Sequence, residues 1–473
     1  MIGPTSRQAS LFYLAFAKEA ALIKDLALDE LDQLLKDPDL LALSSEALGG
    51  RALRSKDLGR PGIAPDRLLR CVVLKHVKRW SFRQLEYELR HSLLYRRFTC
   101  FFEDPIPDFT SFSRTFALFG PEGTRRIHER VVQKAKEQAL IRGQKLRVDT
   151  TAVETNIHYP TDSRLLQDSL RVLTRSLQRI AQQCVGKSLR VVDHARAAKY
   201  RVLEICRAAK VFTDSGKAQL QSSYGKLLQL TRRVKRQALA VLEDLQEQRL
   251  KISGSLLTVL KEQAALAHYV PLVERVITQT EVRIFQGQTH YEGKILSLFE
   301  EHSAVIRKGK ADKPTEFGRL VRLDEVENGM ISGYAIAPGN ESDQKQWRPA
   351  LENHRELFGR VPRLASADRG FWNTQNEEAA QELGVKQVVL PARGRLSAKR
   401  LEHQKQSWFR RGQGWRAGIE ARISTLKHPF GMKRARYKGE AGFERYVGWC
   451  VIAQNLIAMV RTRHKKASGC RSG

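Results

Sequence analysis

The chain has 473 residues, of which 42% are hydrophobic, and a formal net charge of +31 at pH 7. This length predicts roughly two to four domains, and the apolar fraction is enough for ordinary cores. The charge indicates a polyanionic partner, most simply nucleic acid. The six cysteines form no C-x-x-C pair, which argues against a disulfide framework or a zinc site. The longest late apolar run, 446–460, is too short to span a membrane, so we expect a soluble protein in the cytoplasm, associated with the nucleoid.

Residues 1–140 are predicted to form a helical DNA-binding region. LALDELDQLLKD has apolar residues at helical spacing, and GRPGIAP (59–65) breaks the pattern. Ser81 with Gln84 three residues later predicts a capping box at the start of a further helix. Short helices joined by tight turns resemble a helix-turn-helix unit, although a small helical bundle would give the same pattern.

A strand is predicted at KLRVDTTAV (145–153), which is short, apolar and β-branched. Asp149 lies at its centre. A carboxylate on an interior strand is costly unless it is paired or binds a metal ion. Asp149 is therefore a candidate site residue.

Residues 161–284 are predicted to be a helical insertion. Leu227, Val234 and Val241 repeat every seven residues, with basic side chains between them. A structural or dimerising coil explains this pattern, and we assign no chemistry to it.

Strand and helix signals alternate from residue 285 to 463. Two strands, 319–326 and 330–339, read as a hairpin, and a later strand in RLASADRGFWN ends at Asp368. Together with 141–160, this segment predicts an α/β core with a mixed sheet. The other predicted elements are a helix near 347–358, a helix ending near 383, a strand at 385–391 and a closing helix at 441–463. Residues 464–473 are predicted to be a basic tail.

The last 83 residues are the most basic part of the chain, with 20 Lys and Arg against four acids. Glu420, one of the four, follows Arg416 by four residues and precedes Lys427 by seven, on the same side of a predicted helix. An intrahelical Arg–Glu ion pair on a solvated face is one interpretation. The other is that Glu420 joins Asp149 and Asp368 around one or two Mg²⁺ or Mn²⁺ ions, since these ions prefer oxygen ligands.

These motifs, in this order, resemble the DDE transposases of bacterial insertion sequences, which have a ribonuclease-H-like catalytic core. The resemblance rests on VDTTAVETNIHYPTDS (148–163), SADRGFWN (366–373) and the Arg-x3-Glu-x6-Lys arrangement at 416–427. It implies that Asp149, Asp368 and Glu420 are the catalytic residues and bind two divalent ions. It also implies that Arg416 and Lys427 contact DNA, and we include Arg369 and Arg422 in the same DNA-binding set.

The expected function is metal-dependent DNA strand cleavage and strand transfer at insertion-sequence ends. The partners would be double-stranded terminal inverted repeats and target DNA, bound by a homodimer because two ends must be joined. Two alternatives remain open from the sequence: a non-catalytic DNA-binding regulator derived from a transposase, and a nuclease of the ribonuclease H fold that cuts without joining. Trp372 and Trp415 could stack on bases, or pack in the core.

Overall fold

The computed structural model describes residues 25–49, 62–185, 189–307, 315–339 and 341–469. The chain divides into two compact units, one of Met1–Asn156 with Ala304–Gly473 and the other of Ile157–Ser303. The insertion predicted at 161–284 lies within the second unit. Its assignment as a separate domain with these bounds stays a prediction.

The N-terminal part of the first unit is helical, as its sequence predicts. Ser81 accepts a hydrogen bond from the Gln84 backbone, and the Gln84 side chain accepts one from the Ser81 backbone, so the expected capping box is present. The helical prediction for 1–140 can be tested at 25–49 and 62–140, because 1–24 and 50–61 lie outside the described residues. The helices are α1 Leu26–Leu35, α2 Pro38–Gly49, α3 Pro65–Val77, α4 Phe82–His91, α5 Leu93–Phe98, α6 Phe109–Ala117 and α7 Gly120–Glu137.

A mixed six-stranded sheet forms the centre of the first unit. β1 pairs antiparallel with β3 and parallel with β5, and β6 continues the parallel side. β2 and β4 both pair antiparallel with β3, so β3 and β4 form the predicted hairpin. The strands are β1 Lys145–Glu154, β2 Ala304–Ile306, β3 Glu316–Glu325, β4 Ile331–Ile336, β5 Leu364–Ala367 and β6 Gln387–Val389.

Helices cover both faces of this sheet, which is why β1 is buried along most of its length. The Arg147 side chain bonds to the Trp415 carbonyl, and the Thr150 hydroxyl bonds to Asp343. Alternate residues of a strand point to opposite faces, so the helix carrying Trp415 and the helix beginning at Asp343 lie on opposite faces. These helices and their neighbours are α12 Asp343–Phe358, α13 Thr374–Glu382, α14 Ala398–Lys405, α15 Ser407–Lys427 and α16 Glu440–Ala467.

The closing helix α16 is buried over most of 442–460, as its apolar sequence predicts. It packs against α3 and α7, which ties the C-terminal part of the chain to the N-terminal helices. Among the described residues, no helix is long and apolar enough to cross a membrane.

The second unit is built from helices around its own apolar cluster. Leu227, Val234 and Val241 are buried in it, as the seven-residue repeat predicts. The helices are α8 Asp162–Ala181, α9 Ala195–Ala208, α10 Asp214–Gln246 and α11 Leu256–Ile284.

From their positions beside the motifs, four acidic residues are predicted to have surface or supporting roles, namely Glu154, Asp162, Asp324 and Glu325. The surface part of this prediction is wrong. All four side chains are buried, and each forms an ion pair with arginine. Buried carboxylates need such partners because desolvation of an unpaired charge is costly. The pairs are Glu154 with Arg434, Asp162 with Arg283, Asp324 with Arg322, and Glu325 with Arg147.

Candidate active site

Two of the three expected catalytic carboxylates are neighbours on the sheet. Val148 of β1 is paired with Ala367 of β5 in the parallel ladder. The next residue along each strand is Asp149 and Asp368, so these two positions lie side by side where β5 ends. The sequence predicts a strand ending at Asp368, whereas β5 ends one residue earlier, at Ala367. The register still brings Asp149 and Asp368 together.

Asp149 lies on the same face of the sheet as α15. It shares that face with Arg147, two residues earlier on β1, whose guanidinium contacts α15. The Asp149 side chain is half-buried, and its Oδ1 accepts a hydrogen bond of 2.7 Å from the Thr150 backbone N–H. The carboxylate is therefore oriented by its own strand.

Asp368 begins the turn that follows β5. Its Oδ1 accepts a hydrogen bond of 2.7 Å from the Gly370 backbone N–H, and its carbonyl accepts one from the Phe371 N–H. The Gly370 N–H therefore holds the carboxylate against the turn. Both aspartates thus take part of their orientation from the backbone, which limits their freedom before any ligand binds.

A glycine leaves open the space beside Asp368. A Cβ atom at Gly370 would lie 2.8 Å from Asp368 Oδ1, 2.8 Å from Asp343 Oδ2 and 3.3 Å from Arg393 Nη2. The two carboxylate oxygens are therefore no more than twice 2.8 Å, or 5.6 Å, apart. A side chain at position 370 would fill the gap between them.

Glu420 is held differently from the aspartates. It lies on α15, and its Oε1 accepts a hydrogen bond of 2.8 Å from Arg416 Nη2, one helical turn earlier. The Glu420 side chain is 70% exposed, whereas that of Arg416 is 19% exposed. The intrahelical ion pair, one of the two interpretations open from the sequence, is the arrangement that the structure contains.

The three carboxylates do not form a ready-made metal site. In the described ranges, no three His, Cys, Asp or Glu side chains converge closely enough to hold a metal ion. The donors that are close, Asp368 and Asp343, are both carboxylates facing a gap that a Cβ would fill. Hard oxygen donors of this kind fit Mg²⁺ or Mn²⁺, and Glu420 would have to leave Arg416 to join them.

A buried ion-pair network attaches α15 to the sheet beside Asp149. Arg147 Nη2 lies 2.6 Å from Glu325 Oε1, and Arg422 Nε lies 3.3 Å from the same oxygen. Glu325 is 0% exposed, and Arg147 also lies over the Trp415 ring, 4.7 Å from its centroid. The network joins β1, β3 and α15, and so fixes the helix that carries Glu420.

The residues expected to contact DNA have different environments. Arg369 is exposed beside Asp368, while Arg416 is paired with Glu420. Lys427 is half-buried at the end of α15. Arg422 is committed to Glu325, so its guanidinium has a structural partner that the sequence did not indicate.

Both tryptophans considered for base stacking are partly buried. Trp372 packs against the main apolar cluster, and Trp415 packs beside Val389 and Phe409. The Trp415 ring also contacts the Arg147 guanidinium. These contacts are those of core packing, the other role considered for them.

Sequence reasoning missed Asp343 as a neighbour of the aspartates. In the sequence, Asp343 lies in the polar segment 339–344, just before the helix predicted near 347–358. An acidic residue in the first turn of a helix is common because it interacts favourably with the helix dipole. Nothing local distinguishes Asp343 from such a residue, since its contacts with Thr150 and Asp368 are long-range.

Two family models match the chain. One, described as "Transposase domain (DUF772)", matches residues 17–118, and the other, "Transposase DDE domain", matches residues 325–456. The second match includes Asp343, Asp368 and Glu420, whereas Asp149 lies before it. No curated protein and no solved structure matched the chain significantly.

The mixed sheet, its helical covering and the DDE match define a ribonuclease-H-like catalytic core preceded by a helical N-terminal region. With both models matched in this order, the chain belongs to the DDE transposases of insertion sequences. The resemblance recognised in the sequence is thereby confirmed. Membership of this family implies a transposition enzyme whose substrate is DNA.

Proposed function

We propose that this transposase binds the double-stranded ends of an insertion sequence, cleaves them and transfers the freed strand to target DNA. The observation that carries the proposal is the adjacent placement of Asp149 and Asp368 at the end of the parallel ladder. A second support is that Glu420 lies on a helix packed against the same strands, β1 and β5.

The proposed catalytic set is Asp149, Asp368 and Glu420, which would hold two Mg²⁺ or Mn²⁺ ions. When bound, divalent ions lower the pKa of an attacking water or hydroxyl and stabilise the charge on the leaving oxygen. Asp149 and Asp368 are already oriented by backbone N–H groups. Glu420 would complete the set when a DNA phosphate takes Arg416 as its partner.

The reaction would consist of two phosphoryl transfers at one site. In the first, a water oxygen attacks a phosphorus at the element end, the P–O3′ bond breaks and a 3′-hydroxyl is released. In the second, that 3′ oxygen attacks a target phosphorus and displaces the target's own 3′ oxygen. Each step forms one P–O bond and breaks one, so the second step needs no hydrolysis and no nucleotide cofactor.

Arginine and lysine side chains near the site are proposed to hold the DNA backbone. Arg369, which precedes Gly370, and Arg393, which lies close to it, are both exposed, and Arg416 and Lys427 lie along α15. Phosphate contacts position a duplex without reading its sequence. The N-terminal helices α3 to α6 are the proposed reader of the terminal repeats, acting on nucleoid DNA in the cytoplasm.

We propose that two copies of the chain act together, because two element ends must be joined in one reaction. This proposal follows from the chemistry of transposition. A dimer would also bring two sets of basic side chains to the paired ends.

The test is a plasmid assay with the purified chain. A supercoiled plasmid carries a marked element with its own terminal repeats, and it is incubated with Mg²⁺ or with EDTA beside Glu420→Gln. We expect metal-dependent cuts at the element ends and joined products, both lost in Glu420→Gln. The matched control is Asp214→Asn, an exposed acid in the first turn of α10, which should behave as the unmodified chain does.

Two other outcomes of this assay would contradict the proposal and indicate a different function. Binding to the ends without cleavage in any divalent metal would indicate a DNA-binding regulator. Cuts scattered over the plasmid with no joined products would indicate a nuclease of the same fold.

A further inference from the structure

Asp343 lies on the α12 face of the sheet, close to the proposed catalytic aspartates. Its Oδ1 accepts a hydrogen bond of 2.6 Å from the Thr150 hydroxyl. Thr150 is buried, and it follows Asp149 directly on β1. Asp343 therefore contacts the strand residue next to Asp149 from the α12 side of the sheet.

The second oxygen of Asp343 faces Asp368. Asp343 Oδ2 and Asp368 Oδ1 both lie 2.8 Å from the point that a Cβ at Gly370 would occupy. Asp368 lies in the turn after β5, so its carboxylate can face Asp343 beyond the end of the strand. One carboxylate thus touches the neighbour of Asp149 and faces Asp368 as well.

Arg322, a buried arginine on the α12 face, is paired with a carboxylate other than that of Asp343. Arg322, which is paired in register with Thr150, places its Nε and Nη2 atoms 2.9 and 3.0 Å from the two oxygens of Asp324. Its Nη1 donates to the Gln346 carbonyl. The cation nearest the gap is Arg393, which is exposed and places its Nη2 3.3 Å from the point that a Cβ at Gly370 would occupy. Asp343 and Asp368 thus bring two carboxylates to one gap beside an exposed arginine.

We propose that Asp343 is a positioning residue of the catalytic centre. It fixes the separation of the Asp149 and Asp368 carboxylates through Thr150 and across Gly370, and its charge raises the affinity of that pair for a divalent cation. The inference rests on the proposed function for its catalytic meaning. It differs from a purely structural role of Asp343 as an acid at the start of α12.

The test compares three substitutions that separate the charge from the hydrogen bond. Asp343→Asn keeps an oxygen for the Thr150 hydroxyl but removes the charge. Thr150→Val removes the hydroxyl at nearly constant shape, and Thr150→Ser keeps it. Asp214→Asn makes the same chemical change in the first turn of α10, so it controls for the helix-dipole contribution.

Two quantities are measured for each variant: the Mn²⁺ concentration that gives half-maximal cleavage of element ends, and Mn²⁺ binding to the DNA-free chain by electron paramagnetic resonance. Asp343→Asn should raise the half-saturating concentration about tenfold and weaken DNA-free binding by a similar factor, because a charge close to the cation is lost. Thr150→Val should shift both in the same direction by a smaller factor. Thr150→Ser and Asp214→Asn should match the unmodified chain.

Unchanged Mn²⁺ binding and half-saturation in Asp343→Asn would overturn the inference, whether or not the maximal rate falls. If thermal melting shows that Asp343→Asn does not fold, identical Mn²⁺ values for Thr150→Val and Thr150→Ser would overturn it instead. Asp343-dependent Mn²⁺ binding in a chain that cleaves no DNA would refute the proposed function and still support this inference.

Discussion

The sheet and helix α15 present their carboxylates in contrasting ways. Asp149 on β1 and Asp368 just after the adjacent β5 are half-buried, and each accepts a backbone hydrogen bond. Glu420 projects from the rim of α15, mostly exposed, and its ion pair is with Arg416 on the same helix. An exposed i,i+4 pair contributes only a few tenths of a kcal/mol, so little free energy opposes the release of Glu420.

We infer from this contrast that the sheet and α15 contribute to the site in different ways. The sheet provides a carboxylate pair whose positions are set by folding, and the helix provides a third carboxylate that a competing anion can release. We propose that a DNA phosphate is such an anion and would pair with Arg416 in place of Glu420. Assembly of the full catalytic set would then depend on the substrate, which would restrict cleavage to bound DNA ends.

The largest expected effect is the loss of either aspartate of the sheet. Asp149→Asn or Asp368→Asn should lower end cleavage by at least about a thousandfold, because the charge stabilisation at the reacting phosphate is lost. Melting temperatures should change little, since both side chains are only half-buried. Cleavage within about tenfold of the unmodified chain in either variant would remove that residue from the catalytic set.

Much of this contrast could be predicted from the sequence. The β-branched pattern around Asp149 and the apolar run before Asp368 are local signals, and both strands lie where they indicate. The spacing of Arg416, Glu420 and Lys427 also predicts the charged side of their helix. These features depend on periodicity within about ten residues.

Long-range partners could not be predicted in the same way. Glu325 and Arg147 are 178 positions apart in sequence, and Thr150 and Asp343 are 193 apart. Only the register of β1 with β3, and the position of α12 beside β1, bring these groups together. The buried state of Glu325 and the position of Asp343 therefore became visible only in the folded chain.

A second prediction concerns the buried ion-pair network that connects the sheet to α15. Glu325→Gln should lower the free energy of unfolding by about 3 kcal/mol, because Arg147 and Arg422 lose their buried counter-charge. Chemical denaturation measures this change. Glu352→Gln, which removes an exposed partner of Arg348 on α12, is the matched control and should have little effect. Equal stability of the two variants would contradict the proposed importance of the Arg147–Glu325–Arg422 network.

Acid should weaken the unit that contains the sheet through two buried histidines. Burial lowers the pKa of His128 and of His354 to about 4, from an ordinary value near 6.5. Below pH 6.5 the unfolded chain binds protons that the folded chain does not, so stability is lost as pH falls from 6.5 towards 4. At pH 5 each histidine should cost about 2 kcal/mol relative to pH 8.

The measurement is the free energy of unfolding at several pH values for the unmodified chain and for His128→Gln. The glutamine amide can still donate to the Ile331 carbonyl, which is the partner of His128. The variant should lose less stability between pH 7 and pH 5 than the unmodified chain does. Identical acid slopes would show that His128 is not a source of the loss.

The smallest expected effect on stability is that of Arg416→Gln. Since the Arg416–Glu420 pair is exposed on the Glu420 side, the free energy of unfolding should change by less than about 0.5 kcal/mol. DNA-end binding should weaken and depend less steeply on salt concentration, because one phosphate contact is lost. A loss of stability well above about 1 kcal/mol would mean that the pair anchors α15 and that Glu420 is not easily released.

Iron-directed cleavage of the protein backbone tests the central claim most directly. Fe²⁺ replaces Mg²⁺, and hydroxyl radicals generated at the bound ion cut the nearby chain with and without an element-end duplex. Cuts near Asp149 and Asp368 in both states, with additional cuts near Glu420 only when DNA is present, are the predicted result. Cuts near Glu420 without DNA, or none near the two aspartates in either state, would contradict a sheet-held pair completed by a DNA-released glutamate.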